Sequence, residues 1–551
     1  MLQALLVGLA GCAGDARGAA VRTHVRDWRD QIVYQIVVDR FADGLAVPGE
    51  VTVPGDLRRW QGGDWRGIRE NLDALRALGV TAIWISPVVR NAFDASGEDA
   101  YHGYWPSDWT EAEPRFGGEA ELRALVDAAH AEGMLVLIDV VVNHAGPVFD
   151  YDLNADGRVE PHEVEPPFRA DGPQPGTVVW RGARPRLWRP DGTVLELGEE
   201  HFHRRGRARL DDPVERVLGD FPHGLRDLAT EREDVFEALV ETTARWIERT
   251  DADGLRLDAV PHVEPAFWFR FATALRERLA AVGKERVLLV GEVFSYDPAE
   301  LGRYTGPGAL DAAIDVPGWR ALFVDVLLGG GSPAAARRAI EAARAMARAE
   351  PQAGGAGVDA WHGRFVFAES HDVPRIRALL DDPFAVDLAM GALLALDGIP
   401  CLYYGTERDL RGHEAARLAQ HASREPLWWA PARRESPTFV RIARLAALRR
   451  GSVALRRGTL RFVHAAEAGG RDLEATDAGL LAWERTATGQ TVLVVLNAHD
   501  RRSSSARIRT SFEPGSRLRD LLDPHAPLVH VDRDGFVVVD RPPRSVAWLA
   551  P

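Results

Sequence analysis

Short apolar runs rich in β-branched residues, recurring between helical patterns, constrain the fold of this chain more than any other feature. There are eight: Ile32–Val38, Ala82–Ser86, Met134–Val142, Gly254–Asp258, Val287–Glu292, Ala312–Val316, Arg364–Ala368 and Ile399–Tyr403. Runs so short and so continuously apolar suit strands buried on both faces. Stretches such as Leu122–Glu132, Val235–Arg249 and Phe267–Val282 fall between them, with apolar residues at the three- and four-residue spacing of helices. Strand and helix alternating throughout predict an α/β chain folded as a (β/α)8 TIM barrel.

The rhythm breaks once. Roughly 90 residues separate the third run from the helix beginning near Glu231, far beyond an ordinary βα loop. An inserted subdomain is expected there. Beyond Leu455 the pattern changes to alternating runs such as Leu480–Trp483, Val492–Leu496 and Val537–Val539, which predict a C-terminal antiparallel β domain. An Ala/Arg/Gly-rich stretch, Ser332–Gly357, is the one biased segment. The expected order is a signal peptide 1–11, a linker 12–29, barrel 30–144, inserted subdomain 145–220, barrel again 221–455, and the β domain 456–551.

With 551 residues, 46% of them hydrophobic, the chain can bury a large core and accessory domains. A net charge of -14 and the lack of basic blocks exclude a field that would gather nucleic acid, and fit a neutral substrate. The apolar run Leu5–Ala10 ends in Leu9-Ala10-Gly11-Cys12, which resembles a bacterial lipoprotein signal with Cys12 as the lipidated residue. That address implies an extracytoplasmic protein whose only tie to a membrane is a lipid anchor. Cys401, the other cysteine, lies in an apolar context and reads as core.

Side chains just past the strand C-termini of a parallel barrel converge on one mouth. Here those positions are rich in ionisable groups: Asp139 to His144 after strand three, Arg256, Asp258 and His262 after strand four, Glu292 after strand five, and Ser370-His371-Asp372 after strand seven. Glycoside hydrolysis requires two carboxyl groups with opposed tasks, one a proton donor and one ionised. Arg256 shares a strand face with Asp258, two residues on, and is expected to hold it ionised. Glu292, approached by the apolar Val287–Val290, is the candidate acid.

These segments resemble, in order and spacing, the signature motifs of the α-amylase family, glycoside hydrolase family 13. Tyr34-Gln35-Ile36, Asp39-Arg40-Phe41, Gly62-Gly63-Asp64, Tyr101-His102-Gly103-Tyr104, Gly219-Asp220-Phe221, Leu225-Arg226-Asp227-Leu228 and Gly398-Ile399-Pro400 through Glu407 carry the likeness. The resemblance implies Asp258 as nucleophile, Glu292 as general acid/base and Asp372 as a third carboxylate gripping sugar hydroxyls. It also implies His102, Tyr104, His144, Arg256 and His371 as substrate contacts, Tyr104 by stacking on a pyranose face. The implied activity is retaining hydrolysis of α-glucosidic bonds in α-glucans or malto-oligosaccharides. Transglycosylation or isomerisation on the same scaffold, or a carbohydrate-binding lipoprotein without catalysis, are the alternatives. Two departures stand out: Ser370 where the family has asparagine, and Pro261 where typical α-amylases carry a lysine, which argues against ordinary endo-acting starch hydrolysis.

Two calcium sites are expected. The resemblance implies one where the insertion meets the barrel, from Asn143, Asp227 and the backbone carbonyl of His262. The second follows from the residues themselves. Asp152, Asn154, Asp156, Glu160 and Glu163 occupy positions 1, 3, 5, 9 and 12 of an EF-hand-like loop, with Gly157 at the sharp turn and the Arg158 carbonyl at position 7. Pro161, Pro166 and Pro167 oppose a regular exiting helix, so the expectation is an isolated calcium loop.

Overall fold

A computed structural model of the protein describes residues 21–45, 52–92, 97–412, 421–429 and 436–551. Eight parallel strands form the central sheet: β1 (Val33–Ile36), β2 (Ala82–Ile85), β3 (Leu135–Val140), β4 (Gly254–Leu257), β5 (Leu288–Gly291), β6 (Ala312–Ala313), β7 (Phe365–Phe367) and β8 (Ile399–Tyr403). Their order is β6-β5-β4-β3-β2-β1-β8-β7. A parallel bridge between Ile314 and Phe365 brings β6 to β7 and closes the barrel. Each strand lies within one of the expected apolar runs, as burial on both faces requires.

The helices cover the outside through apolar stripes. In α1 (Gly118–Ala131) Leu122, Leu125, Val126 and Ala129 are buried, one face at helical spacing. In α2 (Glu233–Thr250) Glu233 and Asp234 open the first turn and Arg249 closes the last, matching the helix dipole at both ends. The third helix, α3 (Pro265–Ala280), starts on a proline, which needs no intrahelical N–H partner there. The Ala/Arg/Gly-rich stretch is no linker: most of it is a helix, Pro333–Met346, capped by Ser332.

Between β3 and α2 the chain forms small antiparallel pairs, Phe149–Asp152 with Thr177–Trp180 and Arg186–Trp188 with Val194–Glu196. A two-residue pair, His144–Ala145 with Arg226–Asp227, stitches this insertion to the barrel mouth. From Thr459 on, the chain forms antiparallel strands, with Gln490–Asn497 and Ser545–Ala550 at the centre of the larger sheet. No helix among the described residues is long and apolar enough to cross a membrane. Cys12 lies outside the described residues.

Candidate active site

Register places the polar residues of the barrel mouth side by side. Gln35 pairs with Trp84 across β1 and β2, and Asp139 with Arg256 across β3 and β4. Arg256 is almost wholly buried and acts as a clamp. Its Nη1 lies 2.6 Å from Asp258 Oδ1 and 2.9 Å from Asp139 Oδ1, and its Nη2 lies 2.9 Å from Glu292 Oε2. One guanidinium therefore touches both expected catalytic carboxylates, whose facing oxygens stand across its width.

Two backbone features set that geometry. Gly291, just before Glu292, has no room for a side chain, since a Cβ would meet Leu310 Cδ1 at 2.6 Å. Ala259, just after Asp258, is left-handed (φ 49°, ψ 37°), a conformation that costs a residue with a Cβ about 1–2 kcal/mol. In that turn the Ala259 N–H donates to Glu292 Oε2 at 3.0 Å. Glu292 thus accepts from a guanidinium and an amide.

Burial pushes the Asp258 carboxyl well above the usual range; Arg256 pulls it down, while the negative Glu292 and Asp139 push it further up. The expectation that Arg256 holds Asp258 ionised by itself is corrected on this point. Desolvation and two neighbouring carboxylates outweigh one guanidinium shared among them.

His371 is buried between polar partners. Gln35 Nε2 contacts its Nδ1, and Tyr104 OH and Asp372 Oδ2 lie 2.9 and 3.0 Å from its Nε2. The Tyr104 ring stacks on His371 (5.4 Å between centroids, 7° between planes) and on His102 (5.7 Å, 23°). Tyr104 OH also donates to Asp139 Oδ2 at 2.8 Å. Asp372 reaches the open cleft, 29% of its side chain exposed; burial works against its charge, but His371 and Arg424 outweigh this and hold it below the ordinary range. Ser370, the departure from asparagine, accepts the Asp372 N–H at 3.2 Å.

His144 Nε2 donates to the Tyr104 carbonyl at 3.0 Å, which leaves Nδ1 to accept from Asn143 Nδ2 at 3.1 Å. With its amide nitrogen committed, the buried Asn143 Oδ1 has no hydrogen-bond partner among the described residues. Asp227, paired in register with His144, is buried, and burial lifts its carboxyl to about 8 against the pull of His203. An orphaned carbonyl oxygen and a desolvated carboxylate, carried on two segments that pair at His144 and Asp227, are donors of the kind that fit a hard cation. His262 follows β4 in a single 3₁₀ turn, Val260–His262, with Pro261 at its centre and its ring edge-on to Phe221.

In the loop Asp152–Glu163, Asp152 and Glu163 are buried. Asp152 Oδ2 accepts from Gly157 N at 2.9 Å and Oδ1 from Asp156 N at 3.1 Å. Glu163 folds back to accept from Leu153 N (2.7 Å) and Glu160 N (2.8 Å). Asn154 Oδ1 accepts from Asp156 N, Asp156 Oδ1 from Arg158 N, and Glu160 stays exposed beside His162.

Sequence reasoning missed four contributors. Asp139 was noticed only as a strand end, yet it accepts from Trp84, Tyr104 and Arg256. Arg424, far along the chain, donates to the His371 carbonyl and to Asp372 Oδ1, each at 3.0 Å. His203 contacts Asp227 Oδ2 at 2.5 Å. The Ala259 turn carries no compositional mark, whereas the polar residue inside the apolar run Met134–Val142 could have exposed Asp139.

Residues 35–435 match the family model described as the alpha amylase catalytic domain. An alpha-amylase of Streptomyces lividans is 30% identical over 90% of this chain, which spans 57% of that relative's length. The solved Anoxybacillus alpha-amylase shares 25% identity over 96% of this chain and 99% of its own, with a TM-score of 0.72. A Geobacillus thermoleovorans alpha-amylase, solved in complex with acarbose, shares 25% over 96% and 99%, with a TM-score of 0.69. Matched over most of its length and carrying the motifs at the mouth of its barrel, the chain belongs to the alpha-amylase family, glycoside hydrolase family 13.

Proposed function

We propose that this protein is a retaining glycoside hydrolase acting on α-glucosidic bonds of α-glucans or malto-oligosaccharides. One observation carries the reading: Asp258 and Glu292 are held by opposite nitrogens of the same Arg256 guanidinium. A shared clamp suits the short carboxyl separation of retaining enzymes, ~5–5.5 Å, better than the ~6.5–9.5 Å that leaves room for an inverting water. For turnover Asp258 must first give up its proton to solvent. As the carboxylate it attacks the anomeric carbon while a protonated Glu292 gives its proton to the departing oxygen, and Glu292 then takes a proton from the water that releases the glycosyl group. Asp372 and His371 line the same pocket as acceptor and donor for sugar hydroxyls, with His102 behind them against the Tyr104 ring. The acarbose complex of the Geobacillus relative supports a glucan-like substrate.

Calcium belongs to the reading. Asn143 and Asp227, with the His262 carbonyl, would hold one ion, and Asp152, Asn154, Asp156, Arg158, Glu160 and Glu163 a second. Bound there, the ion supplies charge neutralisation and rigidity where the insertion joins the barrel. The lipid anchor at Cys12 and an extracytoplasmic location complete the proposal, resting on the sequence at Leu9–Cys12.

The test is to offer soluble starch, pullulan, cyclodextrin, maltose and sucrose and follow product size and anomer by NMR. Products that keep the α configuration are expected. Inverted products overturn the mechanism, and turnover of the Glu292→Gln variant at the wild-type rate removes Glu292 from its role.

A further inference from the structure

A second cluster of ionisable side chains lies at the opposite end of the barrel. Asp251 caps the end of α2, Asp253 precedes β4, and His130 ends α1, so all sit at the floor while Asp258 sits at the mouth. The N-terminal strap lies over them: Arg22 N donates to Asp251 Oδ1 at 3.0 Å, and His24 Nε2 lies 2.9 Å from Asp251 Oδ2. Lys284, the only lysine in the chain, is buried here, with its ammonium 2.8 Å from Asp251 Oδ1 and 3.3 Å from Asp253 Oδ1.

We propose that His24, His130 and Asp251 form a binding site for a zinc-type divalent cation, one that ties the N-terminal strap to the floor of the barrel. One ligand atom from each of His24, His130 and Asp251 lies within 4.8 Å of the other two, with His24 Nε2 at 2.9 Å and His130 Nδ1 at 3.9 Å from Asp251 Oδ2. Each donor is presented by its neighbours. His130 Nε2 lies 2.8 Å from Asp253 Oδ2, a carboxylate pinned by the Val136 N–H at 3.0 Å. With its proton on Nε2, His130 turns the Nδ1 lone pair toward Asp251 Oδ2, 3.9 Å away. A carboxylate holding the far nitrogen of a ligating histidine is the support such metal sites use. Asp251 Oδ1 is taken by Arg22 and Lys284, so Oδ2 is the oxygen left for a metal.

Two imidazole nitrogens and one carboxylate oxygen select a borderline cation, since calcium and magnesium take oxygen ligands. Donors around a tetrahedral zinc stand about 3.3 Å apart for bonds near 2.0 Å. The observed 2.9 and 3.9 Å bracket that value. The rings stack at 3.7 Å with planes 25° apart, so coordination requires the His24 ring to turn. It has room, because 27% of its side chain is exposed, and that opening admits a water as fourth ligand. Two carboxylates against one ammonium leave one negative charge for the cation. Binding displaces the proton between His24 and Asp251 to solvent.

The full-length protein, stripped with chelator and refilled with calcium, is titrated with Zn2+ and separately with Co2+ in the absence of substrate. One equivalent of Zn2+ is expected, with four-coordinate visible absorption from Co2+ and a thermal midpoint that rises with Zn2+ concentration. His24→Ala should abolish the Co2+ band and weaken Zn2+ at least tenfold, and His525→Ala should change neither. His24→Gln serves where the alanine variant fails to fold, because the amide can still reach Asp251. No binding, or a band that survives in both His24 variants, overturns the site. The readout is independent of glycosidase activity, so a failure of the catalytic reading leaves this outcome interpretable.

Discussion

Asn143 Nδ2 lies 3.1 Å from His144 Nδ1, so the amide commits its nitrogen to His144 and leaves its buried oxygen, without a hydrogen-bond partner among the described residues, as the atom a cation would take. Occupancy of the cation position and orientation of His144 are therefore linked through one side chain. Chelation is expected to lower the thermal midpoint and kcat/KM together, with calcium restoring both. Asn143→Ala should lose His144 orientation even with calcium present, with a loss of about 1–3 kcal/mol of stability for the unpaired group left behind. Thermal melts and kinetics with and without chelator check this. An alanine variant that keeps the full calcium response of the wild type would break the link.

Arg256 is the second lever. Arg256→Gln removes the cation that Asp139, Asp258 and Glu292 share, and uncompensated buried carboxylates typically cost about 3–5 kcal/mol. Arg256→Lys keeps the charge but replaces a planar fork with a point, so it cannot hold two carboxylates at separate nitrogens. The lysine variant should fold in urea titrations much as the wild type does, yet lose at least about 10²-fold in kcat through misplaced carboxyls. Comparable kcat in both proteins would show that the clamp only stabilises the fold.

The barrel was legible because strands buried on both faces leave continuous apolar runs, and the polar residues that end them stand out. Asp258, Glu292 and His371 were found that way, and all meet at one mouth. What stayed hidden depends on long-range closure. Arg424 reaches Asp372 from a loop whose composition marks no site, and the left-handed turn at Ala259 arises from how β4 meets β5. Proton placement was also beyond the sequence, because it depends on three carboxylates sharing Arg256, and only the fold brings Asp139 among them.

Phe294 and Tyr296, two and four residues after Glu292, are 48% and 55% exposed. Phe294 shares the cleft wall with Glu292 and Asp372, and the Arg320 guanidinium lies 5.7 Å from the Tyr296 ring. Exposed aromatic faces beside the proposed proton donor suit stacking against sugar rings on the departing side. Phe294→Ala is expected to raise KM for long glucans by several fold to tenfold, in keeping with about 0.5–1.5 kcal/mol for an aromatic contact. An activated aryl glycoside, which lacks those rings, should be turned over as before. Equal effects on both substrates would place Phe294 outside the binding cleft.

Acid should unfold the protein partly through histidines that are buried neutral. Burial and the nearby Arg424 lower His421 from 6.5 to about 4, and burial takes His102 well below its ordinary value. Between those pH values the unfolded chain binds protons that the folded chain refuses, so this stability is complete above 6.5 and is lost as pH falls toward 4. Thermal midpoints measured across that interval should fall with pH. His421→Gln should flatten the slope, since its amide takes up no proton, and an unchanged slope would assign the acid sensitivity to other groups.

The loop Asp152–Glu163 makes a separable claim about calcium. Asp152 and Glu163 are buried although the loop around them is largely exposed, and among the described residues their carboxylates accept only backbone N–H groups of that same loop, through four hydrogen bonds. Neutral amides offset part of the desolvation of two carboxylates, and a divalent cation would offset the rest. Calorimetric titration of the chelated protein should therefore show two calcium events. The double variant Asp152→Ala/Glu163→Ala should retain one, because the Asn143–Asp227 position lies on a different pair of segments. A variant at Asn143 should remove the other event and leave the loop intact. Two events surviving in the double variant would mean that the loop is an acidic turn held by its own amides.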